Sequence, residues 1–527
     1  MSADFLLAVL NTVAFLLCVS FLAYVMLIMV PFLRYRPGLS GDPRAHDWHL
    51  LVPCRNEEEV IAETISGLRR TFPAAHIWCI DDASTDGTGA ILASLRRRHA
   101  RLHVVTRRPP DAAKGKGPAL NAGWQAVVAS LPPGVDLERV VVGVLDADAR
   151  LDPDAAAVIS GPAWFGNPSV GAVQIQVRVS ATTLGPRLPA ARRLLVRLQD
   201  LEFSGPIAAM QMLRRRSGSV GMGGNGQFTR LSVLNLIATG AGTPWHGALL
   251  EDFELGLHVL LAGSRTEYCH DTWVSQDGLA HVRTLLRQRS RWAQGSMQCF
   301  TYLQAILRSS NISTMGAVEL TYFLLLPWLQ LFGSVIYAAA FSVLGYYAFA
   351  EPGGLSAWWN AGAWGILPLF VLFGIAPFLV WGFIYRRYSD PSLRLPTAFA
   401  LGMANWAYGY LQQTASWWAF VRVARNRHDW KKTAHTRPDD GPVTVAAGSP
   451  ALAGVFAPVR HPQPPTPSPT APTRRPIRPM ATARFVAGPS LSPQSPVSHL
   501  PTSPAPAGTS SQPNHGRIPA LSSSEAS

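Results

Sequence analysis

The stretch Val140-Val141-Val142-Gly143-Val144-Leu145-Asp146-Ala147-Asp148 decides how this chain reads. Its apolar run predicts a strand over Val140–Asp146, and two carboxylates two positions apart close it. In extended chain, residues two apart point the same way. Carboxylates facing one spot repel each other unless a cation joins them. Mg²⁺ or Mn²⁺, held by one or two carboxylates plus substrate phosphates, is the natural resident. A lone D-x-D arises often by chance, so its surroundings decide its weight.

Upstream, Trp48–Pro53, His76–Asp81 and Leu102–Thr106 are short strand-like runs, whereas Glu57–Phe72 and Gly87–His99 have helical spacing. Strands alternating with helices predict an α/β fold with a mostly parallel sheet covered by helices. Ligands in such sheets bind beyond the C-terminal ends of the strands.

The polar residues at those ends carry the chemistry. Pro53-Cys54-Arg55-Asn56-Glu57 ends the first strand, and Asp81-Asp82-Ala83-Ser84-Thr85-Asp86-Gly87-Thr88 ends the second. A carboxylate there can accept hydrogen bonds from a base N–H. The same residues are also the ones that make turns and helix caps. Glu251-Asp252 opens a later helix, where acidic charge suits the dipole or supplies a general base for a hydroxyl. In Gln288-Arg289-Ser290-Arg291-Trp292, offsets of three and four put Gln288, Arg291 and Trp292 on one helix face. There Arg can bind a diphosphate and Trp can stack on a sugar, or the Arg residues can meet lipid headgroups. Gly223-Gly224-Asn225-Gly226-Gln227-Phe228 permits close backbone approach to a ligand, and Lys114-Gly115-Lys116-Gly117 offers cations to phosphate. Both are equally readable as solvated loops.

The chain has 527 residues, a formal charge of +14 and 48% hydrophobic residues. Its Arg residues are scattered along helices and membrane flanks, and no zinc-finger or RNA-binding signature accompanies them, so nucleic acid is not expected as a partner. The five cysteines form no C-x-x-C pair, which fits a reducing compartment. Phe5–Leu33 is long enough to cross a bilayer, and Arg34 and Arg36 after it put its C-terminal end in the cytosol. Leu320–Phe349, Ile366–Tyr385 and Thr397–Phe420 are further apolar stretches. The third holds Asn405, Gln412, Gln413, Thr414 and Ser416. Three full spans after a cytosolic domain would also leave the basic stretch Arg422 to Lys432 outside, so the third is expected to be re-entrant or interfacial. From about Asp439 the composition turns to Pro, Ser, Thr and Ala, which predicts a disordered tail. The expected layout is therefore a membrane helix over 1–36, a cytosolic domain over 46–310, membrane and interfacial helices over 315–430, and the tail over 438–527.

In this order, the motifs resemble the membrane-integrated family 2 glycosyltransferases of the cellulose, chitin and hyaluronan synthase-like kind, over roughly residues 48–437. The resemblance implies a GT-A fold and an inverting transfer of a hexose, Glc or GlcNAc, from a UDP-sugar, with Mg²⁺ or Mn²⁺ as cofactor. It implies that Asp82 holds the uracil ring beside Asp81, Pro53 and Glu57, and that Asp148 is the main metal ligand. Asp146 would touch both the metal and the nucleotide-sugar, with Lys116 near the phosphates. Glu251-Asp252 matches the T/E-E-D motif, which makes Asp252 the base, although Leu250 stands where many members have Thr or Glu. Gln288, Arg291 and Trp292 match Q-x-x-R-W, at the diphosphate and the acceptor end. Gly224, Asn225 and Gln227 match the acceptor-side loop. The segments GGNGQFTR, QRSRWAQGSMQ and DWKKTAHT are also similar to bacterial β-glucosyl-diacylglycerol synthases. The acceptor is thus either a glycan, giving a β-linked polysaccharide at the cell membrane, or a lipid such as diacylglycerol or a polyprenyl carrier. A non-catalytic membrane scaffold is the remaining alternative.

Overall fold

Strand β1 (Asp47–Cys54) shows why the centre of the molecule is a sheet buried on both faces. Trp48, Leu50 and Val52 enter one apolar core, while Leu51 enters the other, as alternation along a strand requires. Leu50, Leu51 and Val52 are fully buried, and each such side chain contributes about 1.5–3 kcal/mol. This two-sided burial is why the run reads as continuously apolar rather than alternating. A computed structural model of the chain describes residues 3–180, 188–350, 352–360, 364 and 366–426. The expected tail over 438–527 and the DWKKTAHT segment lie outside the described residues.

The elements before the D-x-D are α1 (Ala3–Leu33), β1, α2 (Ile61–Thr71), β2 (His76–Asp82), α3 (Thr88–Arg98), β3 (Leu102–Arg107), α4 (Lys116–Ser130) and β4 (Val140–Val144). After it come β5 (Arg150–Leu151), α5 (Ala155–Ile159), β6 (Val170–Ser180), α6 (Ala190–Glu202), α7 (Ala208–Ser217), β7 (Gln227–Arg230), α8 (Leu231–Ala241), α9 (Glu251–Leu261) and β8 (Arg265–Asp277). The rest is helical: α10 (Val282–Cys299), α11 (Leu303–Arg308), α12 (Thr314–Phe349), α13 (Gly354–Asn360), α14 (Ile366–Phe370), α15 (Ala376–Tyr388) and α16 (Leu395–Ala424).

The sheet has eight strands in the order β3-β2-β1-β4-β7-β6-β8-β5. Strands β3, β2, β1 and β4 are parallel, as the alternation of runs predicts. Beyond β4 the sheet is mixed: β7 runs antiparallel to both β4 and β6, β8 parallel to β6, and β5 antiparallel to β8. The expectation of a mostly parallel sheet therefore holds for one half only. The reason is that β7 begins straight after the glycine loop and returns along β4, pairing Gln227 with Val144. Helix α2 begins at Ile61 rather than Glu57, because residues 57–60 form a turn whose amides bond to the neighbouring loop.

Three helical stretches, Asn11–Leu33, Thr314–Ala339 and Pro368–Tyr388, are long and apolar enough to cross a membrane. Helix α16, the questioned third segment, is not among them. Its polar residues find partners instead. Gln412 Nε2 and the Tyr408 hydroxyl donate to Glu202 at 2.8 Å each, and Ser416 Oγ donates to Gln330 at 2.7 Å. Asn405 donates to the Phe378 carbonyl. The polarity of this helix thus serves docking onto α6, α12 and α15.

Candidate active site

The two loops that end β1 and β2 are stapled to each other. Glu57 N donates to Thr88 Oγ1 at 2.7 Å, Thr85 N to Asn56 Oδ1 at 2.8 Å and Gly87 N to Glu58 Oε2 at 2.7 Å. Asn56 and Ala83 adopt the left-handed conformation to make these turns. Much of the second motif is therefore turn and cap chemistry. Neighbouring strand residues face opposite ways, and this separates the two carboxylates. Asp81 turns back to accept from Ser84 N at 3.0 Å. Asp82 lines a cavity of about 580 Å³ together with Pro53 and Glu57. Within it, the Asp82 carboxylate accepts from Arg107 and from Ala113 N.

Lys116, the first residue of α4, also lines the cavity. Its Nζ donates to Asp146 Oδ1 at 2.5 Å and to the Gly224 carbonyl at 2.6 Å. Asp146 N in turn donates to Asn225 Oδ1 at 3.2 Å. Asp148 is buried, lines the same cavity and accepts from Asp277 N at 3.0 Å. The first two residues of α9, Glu251 and Asp252, line it too. Burial, and then the adjacent Glu251 carboxylate, push Asp252 up to about 7 against the pull of Lys116. Burial likewise raises Glu251, which Lys116 and Arg291 oppose. A carboxyl poised near neutrality is suited to general base work.

The glycine loop is set by a residue that the motifs do not include. Gln174 on β6 donates to the Asn225 carbonyl at 2.9 Å and accepts from Gly223 N at 2.7 Å. A Cβ on Gly224 would lie 3.1 Å from Asp252 Oδ2 and 3.2 Å from Lys116 Nζ. The loop backbone thus packs directly against both charged groups. Gly226 has φ +74°, and a Cβ there would meet Val274 at 2.6 Å.

Helix α10 closes the cavity with Gln288, Arg291 and Trp292, the face expected from their spacing. Arg291 Nε is buried with no hydrogen-bond partner among the described residues. Arg289, unassigned by the motif, is buried too. It donates to Glu202 Oε2 at 2.6 Å and stacks on Trp292, 4.1 Å from the ring centroid. Helix α10 also approaches the start of α9 closely. A Cβ on Gly295 would meet Leu250 at 2.6 Å, which gives the unusual Leu250 a packing role.

The cavity therefore brings together Pro53, Glu57, Asp82, Lys116, Asp146 and Asp148 with Gly224, Asn225, Glu251, Asp252, Gln288, Arg291 and Trp292. Two expected residues do not line it. Asp81 faces its own turn, and Gln227 lies fully inside the sheet opposite Val144 and Gln174. The sequence reading missed Gln174, Arg107, Arg289 and Glu202, whose roles depend on partners far away in the chain. As a donor set, Asp146 and Asp148 offer hard carboxylate oxygens to one cavity, a chemistry that fits Mg²⁺ or Mn²⁺.

Residues 45–295 match the family model described as glycosyltransferase like family 2. A Synechocystis sp. protein named beta-monoglucosyldiacylglycerol synthase is 28% identical over 301 residues, covering 56% of this chain and 57% of its own length. A Staphylococcus epidermidis protein named poly-beta-1,6-N-acetyl-D-glucosamine synthase is 26% identical over 267 residues, covering 50% and 58%. The chain spans about half the length of the curated relatives it matches. Among solved structures, the mannosyltransferase PcManGT from Pyrobaculum calidifontis, in complex with GDP-Man and Mn²⁺, aligns with a TM-score of 0.50 at 16% identity. The alignment covers 80% of this chain and 98% of that one. That likeness is one of fold, and the fold is GT-A.

Proposed function

We propose, from the premise that residues 45–295 of this chain form a glycosyltransferase domain of family 2, that the protein is an inverting hexosyltransferase. It moves a sugar from a UDP-sugar to an acceptor hydroxyl at the cytosolic face of a membrane. The observation that carries this reading is the convergence of Lys116, Asp146, Asp252 and Arg291 on one cavity. Its elements come from four distant parts of the chain.

In the proposed reaction, the Asp252 carboxylate takes the proton of the acceptor hydroxyl. The acceptor oxygen attacks the anomeric carbon from the face opposite the diphosphate. The bond between that carbon and the diphosphate oxygen breaks, and UDP departs, so an α-linked donor gives a β-linked product. Arg291, with its unpartnered Nε, and Lys116 stabilise the charge that develops on the leaving group. Trp292 offers a ring face for the acceptor sugar. Asp148 and Asp146 would hold a divalent cation, which supplies further charge neutralisation to the diphosphate when bound.

The acceptor in the first reading is a glycan, extended to a β-linked polysaccharide, with Trp292 as its platform. A second reading is a single transfer to a lipid. A specific observation favours it: Phe323, Leu326 and Pro327 of α12 and Ala415 of α16 give the same cavity an apolar wall. The apolar helices and the basic pair Arg34 and Arg36 support a multi-pass protein with this domain in the cytosol.

Membranes containing the full chain, incubated with radiolabelled UDP-Glc, UDP-GlcNAc and GDP-Man in turn, test the proposal. Label transferred from a UDP-sugar into β-linked product supports it, and transfer from none of them overturns it. Sizing then separates the acceptors, because a polymer is retained at high mass and a glycolipid is extracted into solvent.

A further inference from the structure

Helix α9 carries a second constellation behind the cavity. Residues two apart on an α-helix are about 200° apart around its axis. Asp252 therefore lines the cavity, while Glu254 does not. Glu254 is buried, 5% exposed, and no basic side chain forms an ion pair with it among the described residues. A buried carboxylate without a counter-charge is costly. One ligand atom each of Glu254, His246 and His258 lie within 4.8 Å of one another. Neither imidazole is hydrogen-bonded to the carboxylate. The two imidazoles meet edge to face, with ring centroids 4.2 Å apart, so the three candidate ligand groups form one cluster.

The surrounding hydrogen bonds fit ligands oriented from outside. Glu254 Oε2 accepts from Ala248 N at 3.1 Å, and Oε1 accepts from the Tyr302 hydroxyl at 2.8 Å. With its one proton on Glu254, that hydroxyl accepts from His258 Nε2 at 3.1 Å. His246 Nε2 donates to the Thr243 carbonyl at 3.0 Å. This proton assignment follows from the network and, in the neutral form of each ring, leaves Nδ1 with a free lone pair. Metal-binding histidines use their other N–H in this way, on a carbonyl or a similar partner.

We propose that His246, Glu254 and His258 bind a divalent transition-metal ion, with Zn²⁺ the best match to a His₂Glu donor set. The site is independent of the transfer reaction and of the carboxylates in the cavity. Its role is positional. The loop over residues 242–250 is already tied to α4, where Trp245 N and O bond to Asn121 at 3.1 and 2.7 Å. An ion between His246 and α9 ties the same loop to the helix whose first turn carries Asp252.

The test uses the full-length protein in detergent, stripped by chelator and dialysed against limiting Zn²⁺ or Co²⁺. Metal is counted by mass spectrometry, and Co²⁺ is also read by its ligand-field absorption. An Asp148→Asn background weakens cation binding by the cavity carboxylates. On that background the protein should retain one tightly held Zn²⁺ per chain, and Co²⁺ should give the intense bands of a four-coordinate site. His258→Ala should lose both signals. Glu254→Gln keeps the shape of the side chain and should lose them too, which guards against a misfolded alanine variant. Tyr302→Phe should bind Zn²⁺ about 10–100-fold more weakly. If the Asp148→Asn protein holds no Zn²⁺, or if Glu254→Gln retains it in full, the assignment is overturned and the cluster is a hydrogen-bond network only.

Discussion

Lys116 Nζ stands 2.5 Å from Asp146 Oδ1, so the first residue of α4 is clamped to the carboxylate that follows β4. Burial pulls the Lys116 pKa down, but Asp146, Glu251 and Asp252 outweigh it and raise it overall. The ammonium therefore stays charged through the neutral range. Lys116→Met removes a fixed positive charge from the leaving-group side and strands Asp146. We expect kcat/KM to fall by about 10²–10³, the scale seen on losing one preorganised stabilising group. Lys116→Arg should recover part of that loss. Steady-state kinetics with the active UDP-sugar would measure both.

The pH profile follows from Asp252. Burial and Glu251 raise it to about 7, and a base works only when deprotonated. Activity should therefore rise with pH through the neutral region and level off above it, with unit slope on the acid side in kcat/KM. Glu251→Gln removes the second cause of the shift, so its acid limb should move to lower pH. An unmoved limb in that variant would assign the titration to another group.

The glycine loop makes a sharper steric prediction. In Gly224→Ala the new methyl sits between Asp252 Oδ2 and Lys116 Nζ. It should lower kcat strongly, because at 3.1 and 3.2 Å these two hydrogen-bonded groups must shift by a few tenths of an ångström to admit it. Gly226→Ala combines a left-handed backbone with a 2.6 Å approach to Val274. That substitution should cost about 1–3 kcal/mol of stability, visible as a lower unfolding temperature in detergent.

The parallel half of the sheet and most of the cavity wall were legible because their signals are local. Apolar runs ending in Pro53, Asp81 or Asp146 mark strand ends, and helical offsets put Gln288, Arg291 and Trp292 on one face. Asp81 and Gln227 went astray on strand orientation, which motif spacing does not encode. Gln174 was invisible because its importance lies in two backbone bonds to a loop about fifty residues on. The polar residues of α16 raised doubt about a membrane span, but their partners on α6 and α12 emerge only from the folded chain. The His246, Glu254 and His258 group was missed because an isolated His on a helix gives no signal until a loop brings a second one beside it.

The contact between Glu202 and Arg289 links the cavity to α16. Glu202 accepts from Arg289, Tyr408 and Gln412, and Arg289 supports the Trp292 ring. Glu202→Ala leaves a buried guanidinium unpaired, at a cost of about 3–5 kcal/mol. Tyr408→Phe removes one hydrogen bond and should cost about 0.5–1.5 kcal/mol. Thermal unfolding of the two variants would show that ranking. Because Trp292 loses its backing in the first, KM for the acceptor should rise there as well.

The central claim is that Asp252 supplies the base in a cavity that binds a nucleotide-sugar. It is tested most directly by measuring UDP binding and sugar transfer on the same preparation of Asp252→Asn. The substitution is nearly isosteric and leaves Lys116, Asp148 and Arg291 untouched. We predict UDP affinity close to wild type with transfer reduced to background. Transfer at the wild-type rate would contradict the assignment of the base, and loss of UDP binding together with transfer would contradict the separation of base from donor site.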